Sequence, residues 1–266
     1  MIKPAEIQKF ARDVYVSDTQ IEKDYLLTWV LFGISKHERL SRSLVFKGGT
    51  VLKKVYFDNY RYSEDLDFTL LDEKLTNEEI FGDFKEIFGF VKEEANIDLA
   101  HKEDNEHESG SINFYISYTG PLGGKGLNKE LKVDITRKEV LEFEPVINPV
   151  FIHYSDLGDF KILCYPLEEV LIEKMCALMG RTQPRDLYDL WYLLEHEKMD
   201  ILHNWPEFER KAKNKGHTPS AFTEKVKSKL AGFKSRWEGS LANQIKDLPD
   251  FDLVIRELNK HFRKIK

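Results

Sequence analysis

The chain is short of cysteine, of long apolar runs and of net positive charge, and each shortage closes off a class of protein. Two cysteines in 266 residues, Cys164 and Cys176, make no disulfide framework and no Cys-x-x-Cys metal pair. The longest apolar run, near residues 25–34, is too short to span a bilayer. Met1-Ile2-Lys3-Pro4-Ala5-Glu6 has neither the apolar region nor the small-residue cleavage site of a secretory signal, so a cytoplasmic protein with no membrane partner is expected. A net charge of −6 argues against a uniformly basic nucleic-acid binder. The sequence holds no Gly-x4-Gly-Lys-[Ser/Thr], which excludes a P-loop.

What is present supports a sizeable core: 41% of residues are apolar, and the 32% that are charged are of mixed sign. The charge is unevenly placed. Residues 209–236 carry nine Lys/Arg against Glu209 and Glu224, a net +7, which leaves −13 for the rest of the chain. Periodicity predicts helices over 4–15 and, capped by Ser17-Asp18, over 19–36. A strand at 44–46, a helix at 50–57, a strand at 65–71 and a helix at 77–95 follow. Then come a weak strand at 97–101, a polar loop at 103–110, a strand at 111–118 and a glycine-rich loop at 120–126. Strands are expected at 131–136, 150–153 and 161–164. Beyond residue 165 only helices are expected, at 166–180, 184–195, 205–215, 219–237 and 248–263. The expected architecture is therefore a mixed α/β part over 1–165, opened by helices, and an all-helical domain over 166–266.

Chemistry concentrates in residues 46–68. Gly48-Gly49-Thr50 opens a helix, where glycine lets the backbone approach a ligand and free amides suit phosphate. Ser63-Glu64-Asp65-Leu66-Asp67 follows, and strand alternation puts Asp65 and Asp67 on one face. Paired carboxylates suit Mg2+, a hard cation that takes oxygen ligands, and Asp134 on a later strand can supply a third. The competing reading makes Asp65 a turn residue, Asp67 a solvated edge charge and Gly48-Gly49 an ordinary turn. A second block, Lys174, Ala177, Arg181, Arg185, Asp186 and Asp189, falls on and after one helix, with Lys174 and Arg181 on a shared face. These cations can neutralise phosphate, with Asp186 orienting them, or they form an ordinary surface ion-pair network.

Taken together, these motifs resemble the AbiEii/AbiGii toxin family of nucleotidyltransferase-like proteins, which includes the MenT-like toxins. The Gly48-Gly49-Thr50 and Asp65-Leu66-Asp67 pair matches the family's first motif. Lys125 and Lys129 match the first half of its second motif, whereas Thr136-Arg137 lacks one intervening residue. Asp134 stands for the third. Val170, Lys174, Ala177, Arg181, Gln183, Arg185, Asp186, Asp189 and Leu190 keep the spacing of the fourth, with Gln183 in place of a Lys. Glu22-Lys23-Asp24-Tyr25 is also similar to the family.

The resemblance implies a nucleotidyltransferase-type mixed-sheet core and transfer of a nucleoside monophosphate from NTP to a hydroxyl acceptor, foremost the tRNA 3′ end. It implies a toxin of a toxin–antitoxin or phage-defence pair, with Mg2+ as cofactor and a cognate antitoxin, often a winged-helix repressor, as partner. In this reading Asp65, Asp67 and Asp134 hold metal, and Asp134 and Asp186 serve catalysis. Gly48, Gly49, Thr50, Ser63, Lys174, Arg181 and Arg185 bind nucleotide. The basic face with Lys225, Lys227 and Lys229, expected to point outward, holds the RNA backbone. The rivals are a small-molecule, antibiotic-type nucleotidyltransferase and a non-catalytic NTP-binding interaction module.

Overall fold

The computed structural model describes residues 1–123 and 129–265. They divide into two units, one of residues 1–139 with 145–164 and one of 140–144 with 165–265.

In the first unit, α1 (Pro4–Val14) leads to α2 (Asp18–Lys36), whose first turn is closed by the Ser17 hydroxyl accepting the Gln20 N–H at 3.2 Å. Apolar residues surround α2 almost completely, so it is a buried central helix. A short α3 (Leu40–Ser43) feeds β1 (Leu44–Lys47). Then α4 (Gly48–Val51) begins two residues earlier than the pattern predicts and passes into a π turn over Leu52–Tyr56. After β2 (Asp65–Leu70), α5 (Asn77–Ala95) starts with a reciprocal Thr76–Glu79 capping box. The remaining strands are β3 (Asp98–Glu106), β4 (Ile112–Thr119), β5 (Glu130–Thr136), β6 (Val146–Pro149) and β7 (Lys161–Cys164).

These strands form one mixed sheet in the order β3-β4-β5-β2-β1-β7-β6, with β2–β5 and β1–β7 parallel. Leu66, Phe68, Phe114, Leu131 and Val133 are buried on one face, where the Phe84 ring of α5 meets Phe114 at 4.9 Å. Alternate residues of β4 and β5, and Asp65 and Asp67 of β2, are only half-buried on the other face. That second face carries polar chemistry because the first has taken the apolar side chains.

Two strand expectations need correction. Residues 103–106 are strand, paired with β4 as far as Glu106 opposite Ile112. β3 is an exposed edge, so backbone pairing holds it and no apolar alternation marks it. The strand expected at 150–153 lies at 146–149, while Val150 and Phe151 donate to the carbonyls of Phe160 and Lys54. Val150 is the buried residue, and the actual edge strand before it alternates too weakly to stand out.

The second unit contains α6 (Leu167–Gly180), α7 (Pro184–Glu195), α8 (Trp205–Asn214), α9 (Phe222–Ser228), α10 (Leu230–Leu241) and α11 (Phe251–Phe262). Its core joins Phe208, Phe222 and Phe262 through edge-on ring contacts. The single helix expected over 219–237 is instead a 3-10 turn at Pro219–Ala221, α9 and α10, broken at Lys229. Residues 140–144 belong here because the buried Glu169 carboxylate accepts the N–H groups of Glu142 and Phe143, both at 2.9 Å. Lys211, also buried, donates to Glu169 and to the Val140 carbonyl, each at 2.6 Å. No helix among the described residues is long and apolar enough to cross a membrane.

Candidate active site

The half-exposed sheet face holds the paired carboxylates. Asp65 and Asp67 share that side of β2, and parallel pairing sets Asp67 opposite Asp134 and Asp65 opposite Lys132. On the other flank Lys47 of β1 is opposite Asp67, and Asn113 of β4 is opposite Asp134. A polar row, Lys47-Asp67-Asp134-Asn113, thus crosses four strands spaced about 4.8 Å apart. The Lys132 ammonium donates to Asp134 Oδ2 at 2.7 Å. Partial burial opposes its charge, but the bond to Asp134 and the charges of Asp134 and Asp65 outweigh that and raise its pKa. Lys47 Nζ donates to Thr136 Oγ1 at 3.1 Å and lies 3.7 Å from Glu139.

Among the described residues no three Asp, Glu, His or Cys side chains close into a metal cage. The donor set still suits Mg2+, which is commonly held by one or two carboxylates with waters and substrate phosphates completing the shell. Asp67 and Asp134, register partners on adjacent strands, are that kind of pair.

The glycine turn is built around these acids. Gly48 has φ +81°, in the left-handed region, and a Cβ there would overlap the Asp67 carboxylate. A Cβ at Gly49 would overlap the guanidinium of Arg61, a buried residue that the sequence pattern did not single out. Thr50 is buried, and its hydroxyl donates to the Asp65 carbonyl at 2.6 Å, which ties the turn to the acidic strand. Ser63 is buried in the extended stretch entering β2.

The start of α2 supports this assembly through four consecutive residues. Glu22, 0% exposed, accepts the Leu122 N–H at 2.7 Å and the Lys129 ammonium at 2.8 Å, and Lys129 also donates to the Gly123 carbonyl. Lys23 donates to Glu64, next to Asp65. Asp24 accepts from Lys54 at 2.6 Å and from the Tyr154 hydroxyl at 2.7 Å. Burial works to raise the Asp24 pKa, yet the charges of Lys54 and Lys53 hold it below the usual value. Tyr25 donates to Asp156 at 2.7 Å. Charges on a buried helix need partners, and that was the available sequence signal. Lys125 of the second motif lies outside the described residues. Arg137 is turned to the β2–α5 connection, donating to the Leu75 carbonyl and Asn77.

In the second unit, Asp186 is 2% exposed and surrounded by cations. Lys174 Nζ reaches its Oδ1 at 3.0 Å, and Arg181 bonds both oxygens at 2.7 and 3.1 Å. Lys174 also reaches Asp189 at 2.6 Å. Burial pushes the Asp186 pKa up, but Lys174 and Arg181 win and lower it. The geometry suits a carboxylate that orients cations. Arg181 itself is 61% exposed, and Arg185 is half-buried. Lys225 and Lys227 are exposed. Lys229 does not point outward as expected: its ammonium donates to the carbonyls of Leu178, Met179 and Arg181 at the end of α6.

Known proteins share this fold. MenT4, a nucleotidyltransferase toxin from Mycobacterium tuberculosis, superposes with a TM-score of 0.67 at 17% identity, over 98% of this chain and 89% of that one. JHP933 from Helicobacter pylori does so with a TM-score of 0.60 at 18% identity, over 94% and 93%. No curated protein matches the sequence. A family model described as the nucleotidyl transferase AbiEii toxin of type IV toxin–antitoxin systems matches residues 29–260. With glycine turn, acidic strand and cationic helix pair all inside or spanning that match, the chain belongs to the AbiEii nucleotidyltransferase toxin family.

Proposed function

We propose that the protein transfers a nucleoside monophosphate from an NTP to a hydroxyl acceptor, the tRNA 3′ end, and that an antitoxin of the winged-helix repressor kind restrains it. The observation that carries this reading is the register of Asp67 against Asp134 with Gly48 folded onto the Asp67 carboxylate. In the reaction the acceptor oxygen bonds to the α-phosphorus, the bond to the β-phosphate oxygen breaks, and pyrophosphate leaves. Mg2+, when bound, neutralises charge on the phosphoryl oxygens. Asp67 and Asp134 would hold it, with Asp65 beside them, and Asp134 orients the acceptor hydroxyl and takes its proton. The missing side chains at Gly48 and Gly49 make room for the Asp67 carboxylate and the Arg61 guanidinium beside the turn that would meet the phosphates. Arg181 and Arg185 neutralise phosphate charge, with Lys174 and Asp186 fixing the orientation of Arg181.

Lys225 and Lys227 hold the RNA backbone; Lys229, committed to α6, is dropped from that role. The central test incubates total tRNA with each labelled NTP and Mg2+, using the protein and its Asp67→Ala variant. Label on RNA with the first and none with the second is expected. Label on an aminoglycoside instead would favour the small-molecule reading. Growth inhibition unchanged by Asp67→Ala would favour a non-catalytic module. Lys225→Glu with Lys227→Glu should weaken RNA binding and flatten its salt slope.

A further inference from the structure

Three carboxylates on one sheet face are a concentration of like charge, and something must offset it. Asp65, Asp67 and Asp134 all belong to the half-exposed face, two of them on β2 and one on the neighbouring parallel strand. Part of the offset comes from within the sheet. Lys132 is opposite Asp65 in register and two residues before Asp134, so alternation puts all three side chains on the same face. Its ammonium closes on Asp134 Oδ2 at 2.7 Å. Lys132 is 35% exposed and Asp134 29%, so the pair is reachable by solvent ions without being freely solvated. Tyr115 of β4 is opposite Lys132 and borders it on the side away from Asp65. The face therefore contains its own cation, bonded to one of the carboxylate oxygens a divalent ion would use.

We propose that Lys132 is an internal counter-ion: it occupies Asp134 until a divalent cation displaces it, so that capture of the metal is opposed by a competing ammonium of the same chain. This inference rests on reading Asp65, Asp67 and Asp134 as the metal-binding face. Intramolecular competition lowers apparent affinity by the fraction of time the site is open. A displaced ammonium also needs a new anionic acceptor, and the triphosphate that arrives with the metal is one. Metal capture is then weak on its own and strong with nucleotide, which favours an empty face whenever no nucleotide is bound.

The test measures Mn2+ binding to the full chain by electron paramagnetic resonance, with and without a non-hydrolysable NTP analogue. It compares the wild type with Lys132→Met, Lys132→Gln and Asp134→Asn, each first checked for an unchanged melting transition. Both Lys132 variants should bind Mn2+ without nucleotide about tenfold more tightly, as expected if the pair is closed some nine-tenths of the time. The enhancement by nucleotide should shrink accordingly. If Asp134→Asn loses Mn2+ while both Lys132 variants bind like the wild type or more weakly, Lys132 is a support for Asp134 and the competition is refuted. If Asp134→Asn binds as the wild type does, or if no form binds Mn2+ even with nucleotide, the metal-face reading fails and this inference fails with it.

Discussion

Two charged constellations, one in each unit, use the same residue types to opposite ends. On the sheet face Asp65, Asp67 and Asp134 are half-exposed, with Lys132 on one oxygen of Asp134. At the α6–α7 junction Asp186 and Asp189 are buried, and Lys174 with Arg181 saturates Asp186. A deeply buried carboxylate ringed by cations holds a shape; one half-exposed on a polar face is within reach of a ligand. Burial, more than residue identity, separates an organising acid from a reacting one.

The largest effects should set the two constellations furthest apart. Asp67→Asn is expected to lower nucleotide transfer by about 10³-fold, equivalent to the several kcal/mol a bound metal supplies to the transition state. Its melting temperature should not move. An equal loss of stability would collapse the contrast, since Asp67 would then be structural too. Lys174→Met should act mainly on stability, since it removes the ammonium that bridges the buried Asp186 and Asp189, with a smaller loss of transfer through Arg181. Breaking a buried ion pair from one side costs about 3–5 kcal/mol, to be read from the denaturant midpoint.

Gly48→Ala lies between these extremes. An L-residue in the left-handed region costs about 1–2 kcal/mol, and the new Cβ must displace the Asp67 carboxylate. A fall in both stability and turnover is expected; turnover unchanged with Asp67 displaced would weaken the role of Asp67. The smallest effect is in acid. Asp186 has a lowered folded pKa, so its contribution is complete above its unfolded value of 3.8 and is lost as pH falls through the folded value. The stability gap between the wild type and Asp186→Asn should therefore narrow as pH is taken below about 4. A constant gap would mean that Asp186 acts by shape alone.

Much of the frame was readable from the chain. Ser17 and Pro184 marked helix starts, and alternation in 111–118 and 131–136 marked the central strands. Alternation also put Asp65 and Asp67 on one face, and the strand register of the structure adds Asp134 to it. What the chain concealed depends on partners distant in sequence. Lys229 is on a helix with a clean apolar stripe, yet carbonyls about fifty residues earlier turn it inward. Thr50 looks like a phosphate donor, yet its hydroxyl donates to the backbone carbonyl of Asp65. Lys132 and Glu22 stand in ordinary charged surroundings, and only strand register and a contact across 100 residues give them meaning.

That last contact bears on the order of synthesis. β2 lies in the middle of the sheet, between β1 and β5, although β5 is made more than sixty residues later. A nascent chain stopped before residue 129 can present Asp65 and Asp67 on a strand with one neighbour, without Asp134, and Glu22 would lack Lys129. Long-range pairings of this kind form late because loop closure must precede them. The acidic face is thus completed only after more than half the polypeptide has been translated, so premature termination products would be inert as nucleotidyltransferases.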